Sequence, residues 1–484
     1  AARMCAMTSV AIVVLLPAWL PAFRAGLPAV PAGAHSSAHG FRMTALEPTG
    51  APPVAVQNGA AVPTVGSLAS VPARRLEGTD RPTVWSEFAA LGVKTGAVNL
   101  GQGFPDWAPP QFVVDEAHRA LTDGFHQYTR PAGHPNLVEV LAARYSRHLG
   151  RPLDAMSEVA TTVGASQALY LTLQALLNPG EEVVLLEPAF DLYYGQIRLA
   201  GGTAVPVALQ YSADAGEWRL DAGALEAAVT PRTKFIVLNS PHNPTGKAFD
   251  SGEMHAVAEV VRRHPGVLVI SDEVYKYIIH AEGVAHRHFA ALPGMFDRTV
   301  TISSAGKTFS ITGWQAGWCV GPARLIQPIQ LLLPYVQFCV STPMQQALSR
   351  VLMLADEPFE GHPSYYDWLS HMYRHKRALL ASGLESCGMV PLRGDGGFFL
   401  MADTSALQMP GEYMRHSTLA APTMTRDWAL CRYMAMEAGV LAIPSAPFFS
   451  PPNRHLGSRF VRFAFCKSDD TLIEATERLK KHFC

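Results

Sequence analysis

The sequence predicts an α/β protein: a mostly parallel sheet with helices on both faces, followed by a smaller α+β part. Three observations carry this. Short apolar runs rich in β-branched residues and leucine recur between positions 159 and 302, helix-length amphipathic segments separate them, and each run ends in a polar or glycine-bearing loop. A strand covered on both faces reads as a continuous apolar run rather than an alternation, and that is how these runs read.

The runs fall at 159–163, 182–186, 235–238, 267–270 and 300–302. Segments 165–177 and 251–264 have the length and spacing of crossover helices. Residues 343–355 carry apolar side chains at helical spacing and lead out of the sheet, and 365–382 form a long amphipathic helix. Beyond it, the apolar stretches at 397–401 and 460–465 predict a second, smaller sheet. This divides the chain into a leader at 1–72, an arm at 73–115, a large domain at 116–355 and a C-terminal small domain at 356–484.

The leader is set apart by composition. No acidic residue precedes Glu47, while Arg3, Arg24 and Arg42 recur among Ala, Pro, Gly and Ser. The apolar run at 10–16 is too short and too close to Pro17 for a membrane span of about 20 residues. An organelle-targeting segment, mitochondrial or plastid, is the expected reading, with a secretory route also open; the alternative is a disordered tail with no address and a cytoplasmic protein.

The full chain of 484 residues carries 40 acidic and 39 basic side chains and is 48% hydrophobic. That length predicts more than one domain, and the apolar content excludes wholesale disorder. A net charge of -1 gives no electrostatic footprint for nucleic acid. The seven cysteines are scattered, without zinc or dithiol spacing, so reduced packing cysteines are expected.

In open α/β sheets, ligands bind beyond the carboxyl ends of the strands. Here those ends lead into Gly164-Ala165-Ser166, Glu187-Pro188-Ala189-Phe190, Asn239 to Gly246, Ser271 to Tyr275, and Ser303 to Thr308. Together they offer a glycine-opened helix, an aromatic ring, an amide, an acid, a phenol, hydroxyls and Lys307. That set suits a ligand with a phosphate, a flat ring and an aldehyde. Other motifs fail. The glycine that a P-loop ending at Lys307-Thr308 requires would fall at Thr301, inside a strand, and Gly101-Gln102-Gly103 lacks the third glycine of a dinucleotide fingerprint. His286 and His288, two apart on a loop with no third ligand in sequence, read as surface histidines, and no metal site is expected.

Five motifs occur in order: NLGQGFPDW at 99–107, QYTR at 127–130, NSPHNPTG at 239–246, SDEVY at 271–275 and SAGKTFS at 304–310. In this ordered set the chain resembles the fold type I pyridoxal-phosphate-dependent aminotransferases. Within them it is similar to the kynurenine–oxoglutarate transaminase group, which overlaps glutamine transaminase K and cysteine-S-conjugate β-lyase. The resemblance implies a large domain built on a seven-stranded sheet, pyridoxal 5′-phosphate as cofactor, and amino acid and 2-oxo acid substrates. It also implies a homodimer with shared active sites.

Carried over position by position, the resemblance makes Lys307 the lysine that forms the Schiff base and moves the substrate proton. Asp272 pairs with the pyridine nitrogen, Tyr275 and Asn243 bond the ring oxygen, and Phe190 stacks on the ring. Gly164 and Ala165 offer backbone N–H groups to the phosphate at a helix N-terminus, Ser304 adds a hydroxyl, and Tyr128 reaches it from the neighbouring subunit. Arg462 holds the substrate carboxylate, with Asn243 beside it, while Trp85 and Gly103 line the substrate pocket.

Two departures stand out. Relatives carry a lysine or arginine where Gln315 follows Trp314, which predicts weaker binding of the phosphate. Kynurenine-handling relatives carry a tyrosine where Ser166 stands and a Phe-His pair near Val340-Ser341, which predicts weaker selection for a large aromatic donor. The leading reading is ping-pong transamination with kynurenine, glutamine, methionine or a similar donor. β-Elimination from an S-conjugate on the same site, and a non-catalytic binding protein on the same scaffold, are the alternatives.

Overall fold

A computed structural model describes residues 73–76, 79 and 81–484; the expected leader, with its apolar run, lies outside them. The first long helix, α1 (Val84–Thr95), starts at a capping box between Thr83 and Ser86 and stops at Gly96 in the left-handed region. The chain then builds a seven-stranded sheet. In chain order its strands are β1 (Val159–Val163), β2 (Glu182–Glu187), β3 (Thr203–Ala208), β4 (Thr233–Asn239), β5 (Leu268–Asp272), β6 (Thr299–Ser304) and β7 (Ala316–Val320). They lie side by side as β1-β7-β6-β5-β4-β2-β3, and the ladders from β6 through β5, β4 and β2 to β3 are parallel. Only β7 runs against its neighbours β1 and β6.

The five expected strands are β1, β2, β4, β5 and β6, each within two residues of its predicted ends. Two were not foreseen. β3 is an edge strand whose Pro206 masks it, and β7 is short, with a glycine and a tryptophan in place of an aliphatic run.

Consecutive side chains of the buried strands feed opposite cores. Val183, Leu185, Phe235, Val237, Ile270 and Ile302 pack on one face with Leu169 and Leu173 of α2 (Gly164–Leu176). Val184, Leu186, Ile236, Leu238 and Val269 pack on the other with Val257, Val260 and Val261 of the helix Ser251–Arg263. Both faces are therefore closed, and the ends of the strands are the accessible part of the sheet. A four-stranded antiparallel sheet follows, with strands β8 (Val390–Pro391), β9 (Phe399–Asp403), β10 (Ile443–Pro444) and β11 (Phe460–Ala464) in the order β8-β9-β11-β10. The long helix at Tyr365–Glu385 precedes it, as expected.

Among the described residues no helix is long and apolar enough to cross a membrane. Their six cysteines are unpaired, and four of them are buried.

One buried carboxylate ties the end of β2 to the later chain. Glu187 accepts from the Tyr194 hydroxyl, the Ser450 backbone N–H and, at 2.7 Å, the Asn453 amide. Glu187→Ala leaves these three donors without an acceptor. It is expected to lower the unfolding free energy by about 2–4 kcal/mol, read as a lower urea midpoint.

Candidate active site

At the carboxyl edge of the parallel strands lies a cavity of about 380 Å³. Gly164 and Ala165 enter it from the end of β1, Phe190 from the loop after β2, Asn243 from the loop after β4, Asp272 from the end of β5 with Tyr275 in the loop after it, and Ser304 from the end of β6 with Lys307 in the loop after it. Trp85 of α1, Gly103 and Arg462 of β11 close the other side. Eleven of the twelve positions singled out in the sequence thus share one cavity. Tyr128 does not join them within this chain. It is 81% exposed and packs edge-on against Phe338, with ring centroids 4.8 Å apart.

The register of β4 on β5 pairs Asn239 with Asp272. The Asn239 amide donates to the Asp272 backbone carbonyl at 3.0 Å, and its Oδ1 accepts the Asn243 N–H at 2.8 Å, so one side chain fixes both loops. The buried Asp272 carboxylate accepts the Tyr193 hydroxyl at 2.7 Å. Burial pushes its pKa up to about 6, against the pull of that hydrogen bond, of the Val274 N–H and of the Lys307 charge. Tyr193 was not foreseen. It lies on the helix Leu192–Leu199, and only the fold carries its hydroxyl to the β5 end. Asn239 stood inside a quoted motif but had no assigned role.

Lys307 donates from Nζ to the Gly103 carbonyl at 3.0 Å. Enclosure in the protein lowers its pKa by desolvation, which favours the free amine. Gly103 is required by close approach: a Cβ there would fall 2.4 Å from Cζ of Phe399. The ring of Phe399 in turn lies 3.9 Å from the Arg462 guanidinium.

The far end of the cavity is a neutral cradle. Gly164 opens α2 at φ 69°, a backbone region that glycine enters without strain. Ser304 and Thr312 lie nearby, and Gln315 faces Gly164. The Gln315 amide donates to the Thr312 carbonyl at 2.6 Å. Antiparallel β7 causes this meeting, since Ala316 pairs with Val163 and Gly317 with Ser304. The cations that line the cavity, Lys307 and Arg462, are both engaged elsewhere in it.

Arg462 is 1% exposed. It donates to Asn243 Oδ1 at 3.0 Å and to the Gly101 carbonyl at 2.8 Å, while its Nε has no partner. Among the described residues no carboxylate forms an ion pair with it. Burial lowers its pKa to about 10. Of the positions tied to donor selectivity, Ser166 lines the cavity, whereas Val340 and Ser341 do not.

The reading of His286 and His288 as surface histidines is corrected. Both side chains are largely buried, and a third group meets them: Glu273 Oε2 bonds His286 Nε2 at 3.2 Å and His288 Nδ1 at 2.6 Å. Ser271 donates to the other oxygen at 2.8 Å. The neighbouring imidazoles hold this carboxylate well below its ordinary range despite burial. Sequence spacing gave no sign of it because Glu273 comes from the β5 end, away from the histidine loop.

The fold and the cavity define an enzyme of the aminotransferase class. Residues 95–479 match the family model Aminotransferase class I and II. The chain belongs to that family, whose members move an amino group from an amino acid to a 2-oxo acid. It is 42% identical over 414 residues to a kynurenine–oxoglutarate transaminase of Dictyostelium discoideum, covering 83% of this chain and 94% of that protein. Among solved structures, N-succinyldiaminopimelate aminotransferase from Mycobacterium tuberculosis superposes with a TM-score of 0.75 at 36% identity, over 85% of this chain and 100% of that one. YbdL from Escherichia coli, described with a methionine aminotransferase function, gives a TM-score of 0.75 at 32% identity over 85% and 100% of the two chains.

The raised acid at Asp272 has a consequence for stability. The folded chain holds this proton more tightly than the unfolded chain, so its contribution is full below about pH 4 and lost as pH rises through about 6. In the ligand-free protein, Asp272→Asn is expected to raise stability above pH 6 by up to about 3 kcal/mol. It should also flatten the pH dependence between about pH 4 and 6; urea midpoints at several pH values check both.

Proposed function

We propose that this aminotransferase works with pyridoxal 5′-phosphate and takes its amino group from a donor such as kynurenine, glutamine or methionine. A 2-oxo acid such as 2-oxoglutarate completes the ping-pong cycle. The observation that carries the proposal is Arg462, a buried guanidinium in no ion pair, with the Asp191 carboxylate acting on it only from beyond contact, sharing one cavity with Lys307 and Asp272. A buried cation left in this state is a receptor for a carboxylate, and a bidentate pair fixes the plane of an α-amino or α-oxo acid.

The residues fit the cofactor. Asp272 is a buried acid without a cationic partner and so suits a protonated ring nitrogen. Phe190 borders the same space, and the glycine-opened helix α2 supplies N–H groups for a phosphate. When bound, the cofactor supplies an aldehyde that accepts the amino group and a ring that draws electrons from the substrate α-carbon.

The chain does the rest. Asp272 would hold a proton on the ring nitrogen, and Tyr193 keeps its carboxylate in position. Tyr275 and Asn243 orient the ring oxygen. Lys307 Nζ, held by the Gly103 carbonyl and shifted by burial toward the neutral amine, is the group that would hold the cofactor through its aldehyde, with loss of water. Freed by the donor, the same nitrogen would be the base that carries the proton from the substrate α-carbon to the carbon that was the cofactor's aldehyde. Trp85 and Phe399 exclude water around Arg462.

The proposal extends to a homodimer in which Tyr128 reaches the phosphate of the other copy. Support comes from exposed apolar side chains: Phe338, which packs against Tyr128, and Leu331 and Tyr335 on the helix Ala323–Val336 that precedes it. Residues 1–72 as an organelle-targeting leader belong to the same reading.

Visible absorption tests the core of this. The purified protein with cofactor is expected to be yellow and to bleach on addition of glutamine, methionine or kynurenine. Lys307→Ala should show neither the lysine-bound band nor turnover; bleaching that persists in this variant would overturn the assignment of Lys307. The neutral cradle makes a second prediction. Gln315→Lys adds a charge-assisted contact and is expected to tighten cofactor binding by about 10- to 100-fold, measured as a dissociation constant.

A further inference from the structure

The wall of the cavity beside Arg462 is held by a residue that does not line it. Trp85 Nε1 donates to Asp191 Oδ2 at 2.7 Å, and Asp191 stands just ahead of the helix at Leu192–Leu199. Two positions along α1, Glu87 bonds the Thr418 hydroxyl at 2.6 Å and the Trp428 indole at 3.2 Å, and it pairs with Arg432. Residues two apart on a helix point to nearly opposite sides, so α1 is pinned from both flanks. One flank is anchored beside the large sheet and the other by the C-terminal part of the chain.

The Trp85 ring stands 5.1 Å from the Arg462 guanidinium and edge-on to Phe448 at 6.2 Å. With its indole N–H anchored, the ring offers a fixed apolar face next to the group that takes the acid. Left without its acceptor, the N–H would turn toward any other polar partner or water, and the face would lose its setting.

We propose that Asp191 is a positioning residue for donor selection. By accepting the Trp85 indole N–H it sets the ring against Arg462, and it thereby favours acids with an extended apolar or aromatic side chain over short ones. The inference rests on the reading of Arg462 given under Proposed function. It adds the residue that shapes the pocket and the class of side chain that the pocket prefers. Burial keeps the Asp191 carboxyl above its ordinary range, in accord with an acceptor enclosed by protein.

The test uses the cofactor-loaded protein and two readouts. The first is the dissociation constant of 3-phenylpropionate, an acid with no amino group to transfer, by titration calorimetry. The second is the ratio of half-reaction efficiencies for phenylalanine and alanine. Asp191→Leu removes the acceptor at similar size, Trp85→Phe removes the donor, and Asp191→Asn keeps an acceptor without the charge.

Asp191→Leu and Trp85→Phe are each expected to weaken 3-phenylpropionate by about tenfold and to cut the phenylalanine-to-alanine ratio similarly. The double variant should be no worse than either alone, and Asp191→Asn should stay within about threefold of the parent chain. Three results overturn the inference: unchanged binding in both single variants, losses that multiply in the double variant, or Asp191→Asn as damaged as Asp191→Leu. A parent chain that binds 3-phenylpropionate but converts neither amino acid refutes the catalytic reading and leaves the positioning role intact.

Discussion

Closure of both faces of a parallel sheet governs this structure. With β2 and β5 buried along their whole length, and β4 everywhere but at Lys234, the surface of the sheet is unavailable to any ligand, and chemistry is confined to where the strands stop. At that edge the register does the assembling. Pairing Asn239 with Asp272, and Asp272 with Ile302, brings the loops after three strands together without any long-range contact designed for the purpose. The single reversed strand adds what parallel strands cannot: it delivers its amino end to the same edge, and with it Gln315 and Ala316.

What fills that edge is a set of charged groups each short of a partner. Asp272 and Arg462 make no ion pair, and Lys307 rests on a backbone carbonyl. Each carries a desolvation penalty that a well-paired core would avoid. On the reading proposed above, their opposite needs match a reaction in which a ring nitrogen is positive, an acid is negative and an amine is neutral. Stability is thus given up locally where binding restores it, as the raised acid at Asp272 illustrates.

Much of this was legible in the sequence. The aliphatic runs of β1, β2, β4, β5 and β6 announced themselves because burial on both faces leaves no polar alternation, and the loops after them carried the cavity residues. Other features were invisible for definite reasons. Pro206 disguised an edge strand, and β7 is too short and too mixed in composition to stand out. Tyr193, Asp191 and Glu273 act through groups distant in the chain, so their roles arise only once the strands are in register. His286 and His288 looked solvent-facing because nothing in their spacing announced the carboxylate that buries them.

Gln315 has a consequence in evolutionary terms. It sits in the left-handed region at φ 49°, a strain of about 1 kcal/mol that any unbranched side chain bears alike. Glutamine and lysine codons differ by one base, so a neutral and a charged cradle are neighbours in sequence space with no backbone barrier between them. On the proposed reading, how firmly a lineage retains its cofactor can therefore drift or be selected separately from the lysine, the acid and the arginine assigned to the reaction.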